Sequence, residues 1–276
     1  MGWVRKKVFQ WGASYLTEPL GEYKRLSPQP PELLRRTLQP GDILLVEGDQ
    51  RVSEIIKFLT QSSWSHAAIY VGDAFPDDTE HERTLRERRF GEDANHLLIE
   101  ALLEEGVIAS PVTKYADYNL RICRPIGLQS EDLSSIVREV RAQLGSHYAV
   151  RHVLELARYF FPVSLIPRRF RRKALELGSD LTHEVICSTL IAQAFQNVGF
   201  PILPTVTLDR AAPPPKWYER ILGRRGPYPA RFRKKRTDLV TPRDFDLSPY
   251  FEIVKPDIVG LGGFDYRRIQ WDRSET

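Results

Sequence analysis

Cysteine is scarce in this chain, whose 276 residues include only Cys123 and Cys187. Two cysteines cannot build the disulfide framework of a small secreted domain, although a single bridge between them stays open in an oxidising compartment. Four ligands for a structural zinc ion are not grouped anywhere in the sequence. The histidines at positions 81, 147, 152 and 183 also lack metal-ligand spacing. We therefore expect no metal and no cofactor.

Long apolar runs are also missing. No segment approaches the ~20 apolar residues that are needed to cross a bilayer. Near the start, Arg5-Lys6-Lys7 is followed by neither the apolar core nor the small-residue cleavage site of a secretory signal. The sequence thus predicts a cytoplasmic protein with reduced thiols, and peripheral contact with a membrane is a further option.

Charge of neither sign dominates, because the net charge is only +4, with 42% hydrophobic and 28% charged residues. This balance excludes wholesale disorder. Basic residues are concentrated in two clusters, 168–173 and 231–236, which suit the phosphate groups of lipids or nucleic acid. Only Phe170 and Phe232 interrupt these clusters, which argues against nucleic acid because few aromatic side chains could stack on bases.

A short amphipathic helix is predicted at residues 3–16. It could lie on an anionic membrane or pack against its own domain. Together with the basic cluster 168–173, it leaves peripheral contact with an anionic membrane open as an alternative. The strongly apolar stretch 151–166, just before that cluster, is either a core helix or an apolar surface suited to a lipid.

Composition divides the chain into three parts. Residues 1–32 hold the amphipathic helix and a proline-rich linker, residues 33–255 form the main domain, and residues 256–276 form a C-terminal tail. Within the main domain, residues 73–95 are interpreted as a charged, solvated insertion and residues 204–236 as a basic excursion. The predicted elements are a strand after the Gly41 turn, a helix capped by Ser53, strands starting at His66, His96 and Leu120, a helix over 130–145 capped by Ser130, and a closing strand at 250–254.

Cys187 opens another predicted helix. Apolar residues recur behind it at spacings of three and four, and Gly199 ends the pattern. A cysteine in the first helical turn faces unpaired backbone N–H groups and the positive end of the helix dipole, both of which favour the thiolate. A lone cysteine in an apolar helix is usually inert, so a catalytic interpretation requires a partner.

His66, the first residue of its predicted strand, is the candidate partner. Glu100 lies in the following strand, and neighbouring antiparallel strands can present two side chains on one face. A carboxylate there would orient the imidazole and raise its basicity. His96 is a reserve candidate at the outer end of the strand. Cys123 is predicted to be buried and inert.

Four motifs carry a resemblance to a known family: Leu38-Gln39-Pro40-Gly41-Asp42-Ile43-Leu44, residues 65–72, Ile99-Glu100-Ala101 and Ile186-Cys187-Ser188. Their order is similar to that of the circularly permuted, NlpC-type papain-like cysteine peptidases and amidases. That family includes YiiX/YaeF-like bacterial proteins and, more distantly, the lecithin:retinol acyltransferase group. The resemblance covers about residues 38–198. It implies an α+β fold, in which an antiparallel sheet or small barrel packs on the helix that begins with the cysteine.

The resemblance also implies a site and a chemistry. Cys187 would be the nucleophile, His66 the general base and acid, and Glu100 the orienting residue of a thiol-dependent hydrolase that forms an acyl-enzyme. The expected substrate is a small molecule, a lipid or a peptide with an amide or ester bond. Two alternatives stay open: an acyltransferase of the lecithin:retinol type acting on a membrane lipid, and a non-catalytic lipid-binding module on the same scaffold.

Overall fold

The computed structural model describes residues 17–19, 30–73, 78–103, 105–146, 186–208, 230–255 and 267. Its helices are α1 (Pro31–Thr37), α2 (Arg51–Thr60), α3 (Glu80–Phe90), α4 (Ser130–Ala142), α5 (Ile186–Asn197) and α6 (Pro242–Asp246). Its strands are β1 (Ile43–Val46), β2 (His66–Gly72), β3 (Leu97–Leu102), β4 (Gly106–Pro111), β5 (Leu120–Pro125), β6 (Thr205–Leu208), β7 (Ala230–Arg233) and β8 (Phe251–Val254). None of these helices is long and apolar enough to cross a bilayer.

Six strands form one antiparallel sheet in the order β4-β3-β2-β1-β5-β8, and β6 pairs with β7 in a separate ribbon. One of the two central strands of the sheet is β1, whose four residues are all buried. A continuous apolar run of this kind is what a strand covered on both faces requires. The fold is therefore α+β, as predicted, and the sheet is the body that positions the site.

Alternate residues of the strands contribute side chains to two apolar clusters, one on each face of the sheet. Ile69 and Ile99 belong to the cluster that also contains the buried side chains of α4 and α5. Ala68 and Leu98 belong to the other cluster, which includes Leu34 of α1. Because side chains alternate along a strand, His66 and Glu100 lie on the same face of the sheet as Ala68 and Leu98.

Helices α4 and α5 cover one face of the sheet. Acidic Glu131 and Asp132 occupy the first turn of α4, where they complement the helix dipole. The inward stripe of α4 then packs against α5, which also contacts β2 and β3. Since α5 buries side chains spaced three and four apart, its first turn is fixed at the edge of the sheet core.

Several predicted elements are confirmed, and some details were wrong. The strands after Gly41 and at His66, His96 and Leu120, the helix over 130–145 and the closing strand are all present, with ends shifted by a few residues. The predicted caps were wrong: α2 follows Gln50 rather than Ser53, and Ser130 is the first residue of α4, after Gln129. Strand β4 was not predicted.

Residues 78–95 of the predicted insertion are more ordered than a solvated loop. Thr79 and Glu82 form a reciprocal capping box at the start of α3, a helix with no buried residue. Charged residues with good helix propensity thus form a helix on the surface. The predicted helix 3–16, the apolar stretch 151–166 and the basic cluster 168–173 lie outside the described residues, and the domain boundaries stay predictions.

Candidate active site

The first pair of the candidate site comes from the two neighbouring strands β2 and β3. His66 Nε2 lies 2.7 Å from Glu100 Oε2. The pairing register, with Ile69 opposite Ile99 and Tyr70 opposite Leu98, brings these two positions close on one face. The structure thus brings together two residues that the sequence predicted as a pair, through the strand geometry on which the prediction depended.

Glu100 is fully buried and has three polar partners. Besides His66, Lys114 Nζ donates to Oε1 at 2.6 Å, and the hydroxyl of Tyr115 donates to Oε2. Burial acts to raise the pKa of the Glu100 carboxyl, but the hydrogen bonds and positive charges of His66 and Lys114 hold it well below its usual range. Glu100 is therefore a buried, ionised carboxylate that can only accept hydrogen bonds.

Cys187 is the second residue of α5 and is 5% exposed. Its side chain acts electrostatically on the imidazole of His66. Burial acts to lower the pKa of His66, but the charge and hydrogen bond of Cys187, and then those of Glu100, raise it to about 10. The imidazole is thus flanked by two acidic groups, and its protonated form is favoured at neutral pH.

Neighbouring contacts hold these three side chains in place. Ser188 Oγ donates to the backbone carbonyl of Val240 at 2.6 Å, which fixes the first turn of α5 against the segment before α6. The ring of Tyr115 lies 5.9 Å from that of His66, centroid to centroid. Burial, followed by the charge of Glu100, raises the pKa of Tyr115 far above its usual value, so that it remains a neutral donor.

Lys114 and Tyr115 are the site residues that the sequence analysis missed. Both lie in the 3₁₀ turn Val112–Tyr115, which directly follows β4. The ammonium of Lys114 also lies 5.0 Å from the centroid of the Tyr115 ring. No motif marks this turn in the sequence; the one available signal is a Lys-Tyr pair at the end of a strand that pairs with β3.

The other candidates occupy different surroundings. His96 Nδ1 lies 2.9 Å from the hydroxyl of Tyr70 rather than beside Glu100. Cys123 is fully buried, as predicted, and burial raises its pKa to about 12. Within the described ranges, no three histidine, cysteine, aspartate or glutamate side chains are grouped as metal ligands.

Comparison with known proteins gives a family and likenesses to solved structures. Residues 37–178, just over half of the chain, match the model of a family described as permuted papain-like amidase enzymes, YaeF/YiiX, C92 family. The matched range contains His66 and Glu100 and ends before Cys187. A crystal structure of metalloprotein YiiX from Escherichia coli O157:H7 aligns with a TM-score of 0.43 and 15% identity, covering 80% of this chain and 98% of that one. No protein of curated function matches the sequence.

Proposed function

Because this chain belongs to the permuted papain-like amidases of the YaeF/YiiX family, we propose that it hydrolyses an amide through a Cys187–His66–Glu100 triad and an acyl-enzyme. The single observation that carries the proposal is the position of His66, which lies 2.7 Å from the buried carboxylate of Glu100 and whose pKa is raised by Cys187 as well as by Glu100. A nucleophile, a base and a group that orients the base are the three parts that thiol catalysis requires.

The first half of the reaction forms the acyl-enzyme. The sulfur of Cys187 attacks the substrate carbonyl carbon, and the carbonyl oxygen becomes an oxyanion that the backbone N–H of Cys187 at the helix start can stabilise. The protonated His66 then gives its proton to the leaving amine as the carbon–nitrogen bond breaks. The products of this half-reaction are a free amine and a thioester on Cys187.

The second half releases the acid. The now neutral His66 removes a proton from water, the resulting hydroxide attacks the thioester, and Cys187 leaves as a thiolate. Glu100 keeps the imidazole oriented and stabilises its positive charge in both halves. Lys114 and Tyr115 hold Glu100 itself, because their donors occupy the carboxylate oxygens alongside His66.

Hydrolysis is the outcome that the family description supports. An amine or alcohol in place of water would instead give an acyltransferase, and no observation on the described residues favours that acceptor. A non-catalytic lipid-binding module does not account for a histidine held between a thiol and a buried carboxylate. A lipid, peptide or small-molecule substrate, membrane contact through 3–16 and 168–173, and a cytoplasmic location stay predictions.

The test is detection of the acyl-enzyme. Wild-type protein is mixed with a series of N-acyl p-nitroanilides of increasing chain length, quenched in acid and weighed by intact mass spectrometry. We expect an adduct of the acyl mass on Cys187, release of p-nitroaniline, and loss of both in Cys187→Ala. Cys123→Ala is the matched control and should keep both. Equal turnover by Cys187→Ala and wild type would refute the proposal.

A further inference from the structure

A groove of about 550 Å³ lies between the insertion helix α3 and helix α4. Leu97 and Ala109, from β3 and β4, line its inner side. The groove shares no lining residue with the cluster around His66 and Glu100, so it is a separate feature of the molecule. Its volume lies in the range of pockets that bind small molecules, about 300–1,000 Å³.

The lining of the groove has an apolar floor and a cationic rim. Phe90 extends the floor beside Leu97 and Ala109, and Leu85 and Leu144 add apolar surface at the outside. The rim has four arginines, in two pairs spaced three residues apart: Arg86 and Arg89 on α3, and Arg138 and Arg141 on α4. Like charges at this spacing on a helix repel each other, so each pair favours a nearby anion.

The two carboxylates of the lining are already engaged. Asp78 accepts from Arg86 Nη1 at 2.9 Å and from Arg141 Nη2 at 3.2 Å, which ties α3 to α4. Glu82 accepts from the backbone and hydroxyl of Thr79 as the capping residue of α3. Both carboxylates therefore have roles in holding the helix, and they leave the positive charge of the rim in excess.

Arg89 and Arg138 are the rim residues that face solvent. The guanidinium carbon of Arg89 lies 5.0 Å from the centroid of the Phe90 ring, so this side chain reaches from the rim over the floor. Neither arginine forms an ion pair with another residue in the described ranges. Guanidinium groups bind carboxylate and phosphate through paired N–H donors.

We propose that this groove binds a single-chain anionic amphiphile, whose carboxylate or phosphate monoester head contacts Arg89 and Arg138 while its chain covers the apolar floor. Inorganic phosphate has no chain that could contact the apolar floor, and a neutral detergent has no charge that could contact the cationic rim. The proposal does not depend on the reaction at Cys187.

Isothermal titration calorimetry on the full chain tests the proposal with four probes: decanoate, decyl phosphate, inorganic phosphate and octyl glucoside. We expect decanoate or decyl phosphate to bind at least tenfold more tightly than inorganic phosphate or octyl glucoside, with an affinity that falls as salt is added. A preference for decanoate would identify the head group as a carboxylate, and a preference for decyl phosphate would identify it as a phosphate monoester.

Variants locate the binding. The double variant Arg89→Gln, Arg138→Gln should lower the affinity for the preferred probe at least tenfold. Leu85→Gln removes part of the contact with the chain and should lower that affinity by a smaller factor. Arg88→Gln is the matched control, because Arg88 is exposed on the same helix and does not line the groove. Thermal unfolding checks that each variant stays folded. Equal binding of inorganic phosphate and decyl phosphate, or unchanged affinity in the double variant, would overturn the proposal.

Discussion

Two buried carboxylates, Asp42 and Glu100, differ in the kind of basic side chain that each contacts. Asp42 is 1% exposed and Glu100 is 0% exposed, and each has a basic side chain in direct contact. Asp42 accepts from Arg124 Nε at 2.8 Å and from Nη2 at 2.7 Å. Glu100 instead contacts His66 and Lys114. The pairs differ in whether the partner can lose its proton.

Arginine keeps its charge throughout the accessible pH range, and the hydrogen bond to Asp42 raises the pKa of Arg124 further. Asp42 also accepts from the backbone N–H of Gln39 at 2.8 Å, which closes the turn that enters β1. Under the proposed function, Glu100 differs from Asp42 because its partner His66 can exchange a proton and also interacts with the nucleophile Cys187.

Removing the basic partner from each pair should have the largest effects, of different kinds. His66→Gln should lower kcat/KM for an anilide substrate by at least ~10³-fold, because the proton donor and acceptor are lost. Arg124→Gln should leave most of that activity but lower the free energy of unfolding by about 3 kcal/mol, because it leaves Asp42 buried without its charged partner. Urea denaturation and steady-state kinetics measure the two effects. Similar profiles for the two variants would erase the distinction.

Neutralising each carboxylate is the next largest change. Glu100→Gln should lower kcat/KM by roughly 10²- to 10³-fold, because the amide orients the imidazole poorly and does not stabilise its charge. Asp42→Asn should reduce the melting temperature while changing kcat/KM by less than about tenfold. Circular dichroism melts with parallel assays separate these outcomes. If Asp42→Asn were the more damaging to catalysis, the assignment of Glu100 would be wrong.

The pH dependence sharpens the same comparison. Since the pKa of His66 is raised from 6.5 to about 10, the imidazolium persists through neutral pH, and its contribution to stability is lost as the pH rises through about 10. kcat/KM should fall over the same alkaline interval, because the leaving group loses its acid. Assays from pH 7 to 11, corrected with Cys187→Ala, measure this limb. A fall centred near pH 6.5 would contradict it.

The smallest effects are expected at the two residues that hold Glu100. Lys114→Met removes a positive charge, so it should raise the pKa of Glu100 and lower kcat/KM by roughly tenfold. Tyr115→Phe removes one hydrogen bond and should lower kcat/KM a few-fold, which corresponds to about 1 kcal/mol in the activation barrier. Lys114→Arg is the matched variant and should recover part of the activity. A merely structural role would instead lower the melting temperature without moving the pH profile.

The sequence was sufficient to place three residues on regular elements, and their catalytic roles stay a proposal. His66 and Glu100 occupy neighbouring antiparallel strands, and Cys187 occupies a first helical turn, so alternation and helical spacing were enough to predict them. Lys114 and Tyr115 were not predictable in this way, because their positions depend on the pairing of β4 with β3 and on a short turn. The cap predicted at Ser53 lies three residues after the observed one and the cap predicted at Ser130 lies one residue after it, because polar residues cluster around both helix starts.

The measurement that tests the central claim most directly is the rate of Cys187 alkylation by iodoacetamide at pH 7, read by peptide mass spectrometry. Cys123 in the same molecule is the internal reference, and Arg124→Gln is the control for general loosening of the fold. We predict that Cys187 reacts at least about tenfold faster than Cys123 and that His66→Gln slows it by a similar factor. A Cys187 rate that is unchanged in His66→Gln would contradict the account.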